Sequence, residues 1–190
     1  MQVLKDDIRN SILEASLDEF YKNGYEKASM SGVAKRCAIS KSNMYNYFPS
    51  KKSIYDALTA PAIAEITKTT RELTKKRCES HTCDEVALEF TESLQHVICK
   101  YRKEIVVILT GSPDQEERMI QDMLQHELVE CFMSLDESRI SRGFLEVLAS
   151  MLLDGLCKII IQSDSNEEIP GKLYALFQYH IHGIQPFRKK

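Results

Sequence analysis

The sequence predicts an all-α protein whose first third holds a helix-turn-helix. Three observations predict it. Apolar residues recur three and four apart along most of the chain, and no stretch alternates as a strand would. Only seven glycines and five prolines interrupt 190 residues, and there is no internal repeat or low-complexity tract. Between residues 29 and 50, capping serines and a proline mark off two short helical segments joined by a tight turn, after a longer helix.

The elements follow in order. Residues 5–22 carry Ile8, Ile12 and Ala15 on one stripe and Leu13, Leu17 and Phe20 on another, so this helix is packed on two sides. Asn23-Gly24-Tyr25 stops it, with Gly24 as a left-handed cap. Ser29 opens a short helix over 30–36 with Val33 and Ala34 inward, and Cys37-Ala38-Ile39 makes a turn. Ser40 is an N-cap, because its hydroxyl can accept from an orphaned backbone N–H. The helix it starts ends by Phe48, since Pro49 disfavours helical geometry in the residue before it. Ser50 caps the next helix, which reaches about Arg77 past a kink at Pro61.

Beyond the polar connector "CESHTCD", helices are expected at about 84–103, briefly within "EIVVILTGS", at 113–134, at 137–162 and at 172–183. The acidic first turn of 113–134 (Asp114, Glu116, Glu117) suits a helix N-terminus. "FLEVLASMLLDGLCKIII" is the longest apolar run, but Glu146, Asp154 and Lys158 make it a helix buried in protein rather than a membrane span.

Charge is spread unevenly. The formal net charge is −3, which excludes a generic polyanion binder, yet residues 21–55 hold seven Lys/Arg against the single acid Glu26. "SKSNMYNYFPSKKSIY" (40–55) concentrates four aromatic rings and three lysines with no acid. As the second helix of a helix-turn-helix, it belongs in a DNA major groove. Ile39, Met44 and Phe48 then point inward, and Lys41, Ser42, Asn43, Tyr45 and Tyr47 are left outside. Lysine and asparagine can bond base edges or phosphates, and tyrosine hydroxyls can donate to phosphate oxygens. Lys51 adds its charge to the positive end of the following helix, and Ser29 and Ser31 stand at the start of the preceding one.

Residues 8–58, "IRNSILEASLDEFYKNGYEKASMSGVAKRCAISKSNMYNYFPSKKSIYDAL", resemble the DNA-binding domain of the TetR/AcrR family of bacterial transcriptional regulators. The matching positions are Ile12, Ala15, Phe20, Gly24-Tyr25, Val33-Ala34, Ile39-Ser40-Lys41, Tyr45, Phe48 and Lys51. Ser42 stands where glycine is common, and Ala28 replaces a frequent threonine. The resemblance implies an N-terminal three-helix DNA-binding domain (residues 1–50) and a C-terminal helical domain (51–190) for effector binding and dimerisation, about nine helices in all. It further implies a homodimer paired through the last two long helices, about 137–162 and 167–183. Such a protein is a repressor that leaves a palindromic double-stranded operator when a small-molecule effector binds.

Pocket residues are not encoded by spacing; Phe90, Leu94 and Met123 are apolar candidates for lining one, and His96 and His126 sit among apolar neighbours. Cys78, His81 and Cys83 lie close together, but three ligands at that spacing do not close a zinc site, and no metal or cofactor is expected. The start "MQVLKDDIRN" lacks the apolar core of a secretory signal, so the six cysteines are expected to be reduced in a cytoplasmic protein. No nucleophile–base spacing or glycine-rich phosphate loop appears, so no enzyme is expected. Two other readings fit the same residues: a regulator that answers to a protein partner, and a helical ligand-binding or scaffolding protein that does not bind DNA.

Overall fold

A computed structural model describes residues 2–75, 82–110, 116–134 and 140–184. Among these residues there are nine α-helices and no strand: α1 (Gln2–Lys27), α2 (Met30–Arg36), α3 (Lys41–Tyr47), α4 (Lys51–Lys75), α5 (Cys83–Lys100), α6 (Arg102–Thr110), α7 (Glu116–Ser134), α8 (Arg142–Gln162) and α9 (Ile169–Ile184). No helix is long and apolar enough to cross a membrane. The chain forms two compact units, residues 1–63 with 103–117, and residues 64–102 with 118–190. The first unit thus runs past residue 50 and takes in part of α6, because Val107 joins the core built by α1–α4.

In the first unit, Ile12, Phe20, Tyr25, Val33, Ala34, Met44, Phe48, Ile54 and Tyr55 make one core. The Tyr25 ring meets Phe20 at 5.4 Å and Tyr55 at 5.3 Å between centroids. Helical geometry in α1 does not end at Gly24 but breaks there and resumes to Lys27. Gly24 has φ 76 and ψ 157, outside the left-handed helical well expected of a cap and open in practice to glycine alone. A Cβ at this position would meet nothing within 4 Å, so the requirement is conformational rather than steric.

Polar contacts tie the helices of this unit together. Arg36 on α2 donates to Glu19 on α1 at 3.1 Å, and Lys103 on α6 donates to Asp18 at 2.8 Å. The hydrogen bond from Lys103 is the main cause holding the Asp18 carboxyl below its ordinary value, and the same bond raises the lysine. A lowered carboxyl stabilises above the unfolded carboxylate range, and that contribution is lost as pH falls through the folded pKa. Ser16 is fully buried, and its hydroxyl is without a hydrogen-bond partner among the described residues.

The turn from α2 to α3 is a Schellman motif. Ile39 N–H donates to the Ala34 carbonyl at 3.1 Å and Ala38 N–H to the Lys35 carbonyl at 3.2 Å. The motif needs a left-handed residue after the C-cap, and that residue is Ala38, φ 53, where glycine is usual. A left-handed alanine costs about 1–2 kcal/mol, and glycine adds about 0.4–1 kcal/mol of unfolded-state entropy. Ala38→Gly is therefore expected to stabilise the protein by about 0.5–1 kcal/mol, read as a higher urea midpoint at unchanged m-value. An unchanged or lower midpoint contradicts the reading of strain at this position.

In the second unit α5 and α9 run antiparallel in contact. Cys99 meets Asn166, Phe90 meets Phe177, and Asp84 meets His182. Thr82 and Glu85 form a reciprocal capping box that starts α5. α5 stops at Lys100, and α6 starts after the single residue Tyr101. α8 presents Leu145, Ala149, Leu152 and Ile160 inward, and α9 presents Ile169, Leu173, Phe177 and His180. A Cβ on Gly155 would lie 3.0 Å from Leu176 Cδ1, so glycine permits the close approach of α8 and α9.

The Arg102 guanidinium donates to the carbonyls of Ile160 and Ser163, satisfying orphan groups at the end of α8. His180 is a packed core residue whose Nδ1 lies 3.0 Å from the Leu176 carbonyl. Pro61 lies within α4, which continues through it to Lys75.

Candidate nucleic-acid interface

The candidate site is the outer surface of α2 and α3. Its shape is fixed locally by capping. The Ser29 hydroxyl accepts from Gly32 N–H at 3.0 Å, and the Ser40 hydroxyl accepts from Asn43 N–H at 3.1 Å. Each serine uses a lone pair to cap its helix, which leaves its own O–H proton for an outside acceptor. Both serines, and Ser31, are exposed. At the far end, Phe48 is extended (φ −137, ψ 112) before Pro49, so α3 has only seven residues.

Each residue of a helix turns the side-chain direction by about 100°. Met44, fully buried, fixes the inner side of α3, with Phe48 buried beyond it. Lys41, Ser42, Tyr45 and Asn46 are exposed; Asn43 and Tyr47 are half-buried. Among the described residues, no hydrogen bond or ion pair engages the side chains of Lys41, Ser42, Tyr45 or Asn46. Tyr45 keeps 43 % of its surface exposed.

Two expected site residues stand differently from the expectation. Tyr47 is only partly exposed and packs in part against the core of the first unit, because its direction lies about 60° from that of the buried Met44. The Lys51 ammonium turns inward, donating to the carbonyls of Tyr25 at 2.8 Å, Glu26 at 3.3 Å and Ala28 at 3.3 Å. It also sits 4.2 Å from the centroid of the Tyr25 ring. These three carbonyls lie at the end of α1 and in the turn that follows it. In this arrangement Lys51 secures the turn that leads into α2.

The basic surplus of residues 21–55 is also sorted by the fold. Arg36 pairs with Glu19 and Asp18, and Lys52 pairs with Asp56 at 3.0 Å. Lys27, Lys35 and Lys41 are exposed and have no acidic partner among the described residues. With the exposed Lys22 of α1, which is likewise in no ion pair among the described residues, those three carry uncompensated positive charge on α1, α2 and α3. Arg9 lies 5.0 Å from the centroid of the Phe48 ring, so a cation also covers the back of the ring that ends α3.

In the sequence Asn46, with Ser42, leaves the base preference open, and it is not among the expected contacts. A count of helical angle from the apolar Met44 and Phe48 was the signal that places it outward, beside Ser42.

The expected effector-pocket residues Phe90, Leu94 and Met123 are not among those lining the cleft between α4 and α5. The Phe90 ring packs on Phe177 at 5.6 Å, and Leu94 and Met123 are half-buried. A cleft of about 260 Å³ in the second unit is lined instead by Glu65, Thr69, Glu72 and Leu73 of α4 and by Ser93, His96 and Val97 of α5. Glu65 is held in its charged form mainly by a hydrogen bond from Lys100, at 2.8 Å. His96, one of the histidines in question, does line this cleft, and His126 is exposed.

No group of three potential metal ligands occurs among the described residues, and the side chains of Cys78, His81 and Cys83 lie outside them. Among the described residues, Cys37, Cys99 and Cys157 form no disulfide.

Residues 12–58 match the family model described as bacterial regulatory proteins, tetR family. The HTH-type transcriptional regulator UidR of Escherichia coli (strain K12) is 38 % identical over 58 residues, which is 30 % of this chain and 30 % of UidR. The chain therefore spans under a third of the length of that curated relative. Similarity in fold extends further. A TetR-family transcriptional regulator from Bordetella parapertussis superposes with a TM-score of 0.71 at 20 % identity, covering 90 % of this chain and 93 % of that one. Thermus thermophilus FadR, a TetR-family repressor solved in complex with lauroyl-CoA, gives a TM-score of 0.52 at 16 % identity, over 93 % of this chain and 94 % of FadR.

Proposed function

Because residues 12–58 make this chain a member of the TetR family of bacterial regulators, we propose that it binds double-stranded operator DNA and regulates transcription. The observation that carries the reading is the outward face of α3, where Lys41, Ser42, Tyr45 and Asn46 are exposed and unengaged above a closed core. Lys41 and Tyr45 contact phosphates, and so do Ser29, Ser31 and Ser40 through their free hydroxyl protons. Ser42 and Asn43 stand along the groove floor. Lys27 and Lys35 add attraction that falls with salt. The structure of Lys51 and Tyr47 supports positioning roles for both.

A second copy of the chain completes the regulator. α8 exposes Phe144 (47 %), Val147 (51 %), Met151 (49 %) and Ile161 (43 %) along one face. With Tyr179 of α9, these form an apolar surface suited to a two-fold interface between the last helices of two chains. Two α3 helices then read half-sites about 34–36 Å apart on one face of the duplex, so the operator is a palindrome.

Residues 1–50 read DNA, and residues 51–190 dimerise and receive a small-molecule effector. An effector that favours a different spacing of the two α3 helices releases the DNA, by as much as its affinities for the two states differ. The α4–α5 cleft is one concavity, among the described residues of the second unit, open to such a ligand. A repressor of this kind works in the cytoplasm, where the DNA is.

Selection of bound duplexes from a random library tests the reading. A palindromic consensus is expected. Recovery of no preferred duplex, together with no retention on DNA at low salt, rejects it in favour of a helical protein that does not bind DNA.

A further inference from the structure

We infer that Asn46 is a specificity-determining residue, and that it reads an adenine in each half of the operator. The inference rests on the DNA-binding reading above and concerns which side chain of α3 does the reading.

Four side chains form the outer face of α3: Lys41, Ser42, Tyr45 and Asn46. Their chemistry differs. A lysine is a mobile point charge that suits phosphate as well as a base. A tyrosine has one hydroxyl at the end of a long ring, and a serine hydroxyl rotates to suit either donor or acceptor. Asn46 alone carries a donor and an acceptor fixed side by side in one plane. Adenine shows the complementary pair in the major groove: its N7 accepts from the asparagine N–H, and its N6 amino group donates to the asparagine oxygen. No other single base carries both an acceptor and a donor on its major-groove edge.

Position matters as much as chemistry. Asn46 is four residues after Ser42 and so lies one turn further along the same face. Major-groove helices can read bases over two turns, so a residue this far along α3 is within reach. The amide is also free to act. Among the described residues it makes no hydrogen bond within the protein, whereas Asn23, for comparison, spends its amide on Glu19 at 3.0 Å. Asn43, the other asparagine of α3, is half-buried.

The test is a random-duplex selection performed in parallel with the full chain, the Asn46→Ala variant and the Lys68→Ala variant, each first checked for an unchanged melting curve. Asn46 is exposed, so its truncation leaves the fold intact. The wild type is expected to select a palindrome with one A·T pair per half-site that discriminates about 5- to 150-fold against replacement. Asn46→Ala is expected to keep the rest of the palindrome and lose that preference to near unity. Lys68→Ala, an exposed change on α4 outside the interface, is expected to select the wild-type consensus. If Asn46→Ala selects the same base as the wild type at every position, the inference is overturned while the DNA-binding reading stands. If the wild type selects nothing, both fall.

Discussion

Phe48→Ala is expected to unfold the first unit and abolish duplex binding. Phe48 is 3 % exposed and lies in one core with Ile12, Met44 and Ile54. It is also the C-cap residue of α3 and the ring against which Arg9 stacks. Truncating a buried phenylalanine costs about 3–5 kcal/mol, against a typical total of about 5–15 kcal/mol. A unit this small has little margin for such a loss. Circular dichroism should show helix content lost at a lower temperature than in the wild type, and gel shifts should show no retarded band. Phe48→Leu, which keeps most of the volume, should retain both. A Phe48→Ala protein that melts like the wild type contradicts the packing described here.

Met151→Glu is expected to split the regulator into single chains. Met151 is 49 % exposed on the apolar face of α8, beside Phe144 and Val147, so the isolated chain does not need it to fold. In a two-fold interface the same position occurs twice, and burying two unpaired carboxylates costs several kcal/mol. Light scattering should give twice the chain mass of 21.8 kDa for the wild type and 21.8 kDa for the variant. Operator affinity should fall at least a hundredfold, since each chain then holds one half-site. A variant that keeps the doubled mass sets the interface elsewhere.

Most of the fold was legible because capping and breaking residues are local. Ser40 and Pro49 bound α3 through interactions spanning three residues or fewer, and both act as expected. The end of α5 was not legible. Its break at Tyr101 has no glycine or proline, and Arg102 fastens to carbonyls about sixty residues away at the end of α8. Gly24 announced a positive φ, but its ψ of 157 carried no local signal.

The site divides in the same way. The inward residues Met44 and Phe48 follow from apolar spacing, and once they are placed the outward ones follow from helical angle. No local signal shows that three carbonyls of the α1–α2 turn surround Lys51. The cleft residues Glu65 and Ser93 come together from two helices, and spacing along the chain carries no information about that.

The most direct test of the central claim is the salt dependence of binding to the selected duplex, measured for the wild type and for Lys41→Ala. The logarithm of affinity should fall linearly with the logarithm of salt concentration, and Lys41→Ala should weaken binding to every duplex while reducing the slope by about one for each copy of α3 on the DNA. A slope unchanged by Lys41→Ala, at unchanged affinity, would mean that this face of α3 does not meet the phosphates.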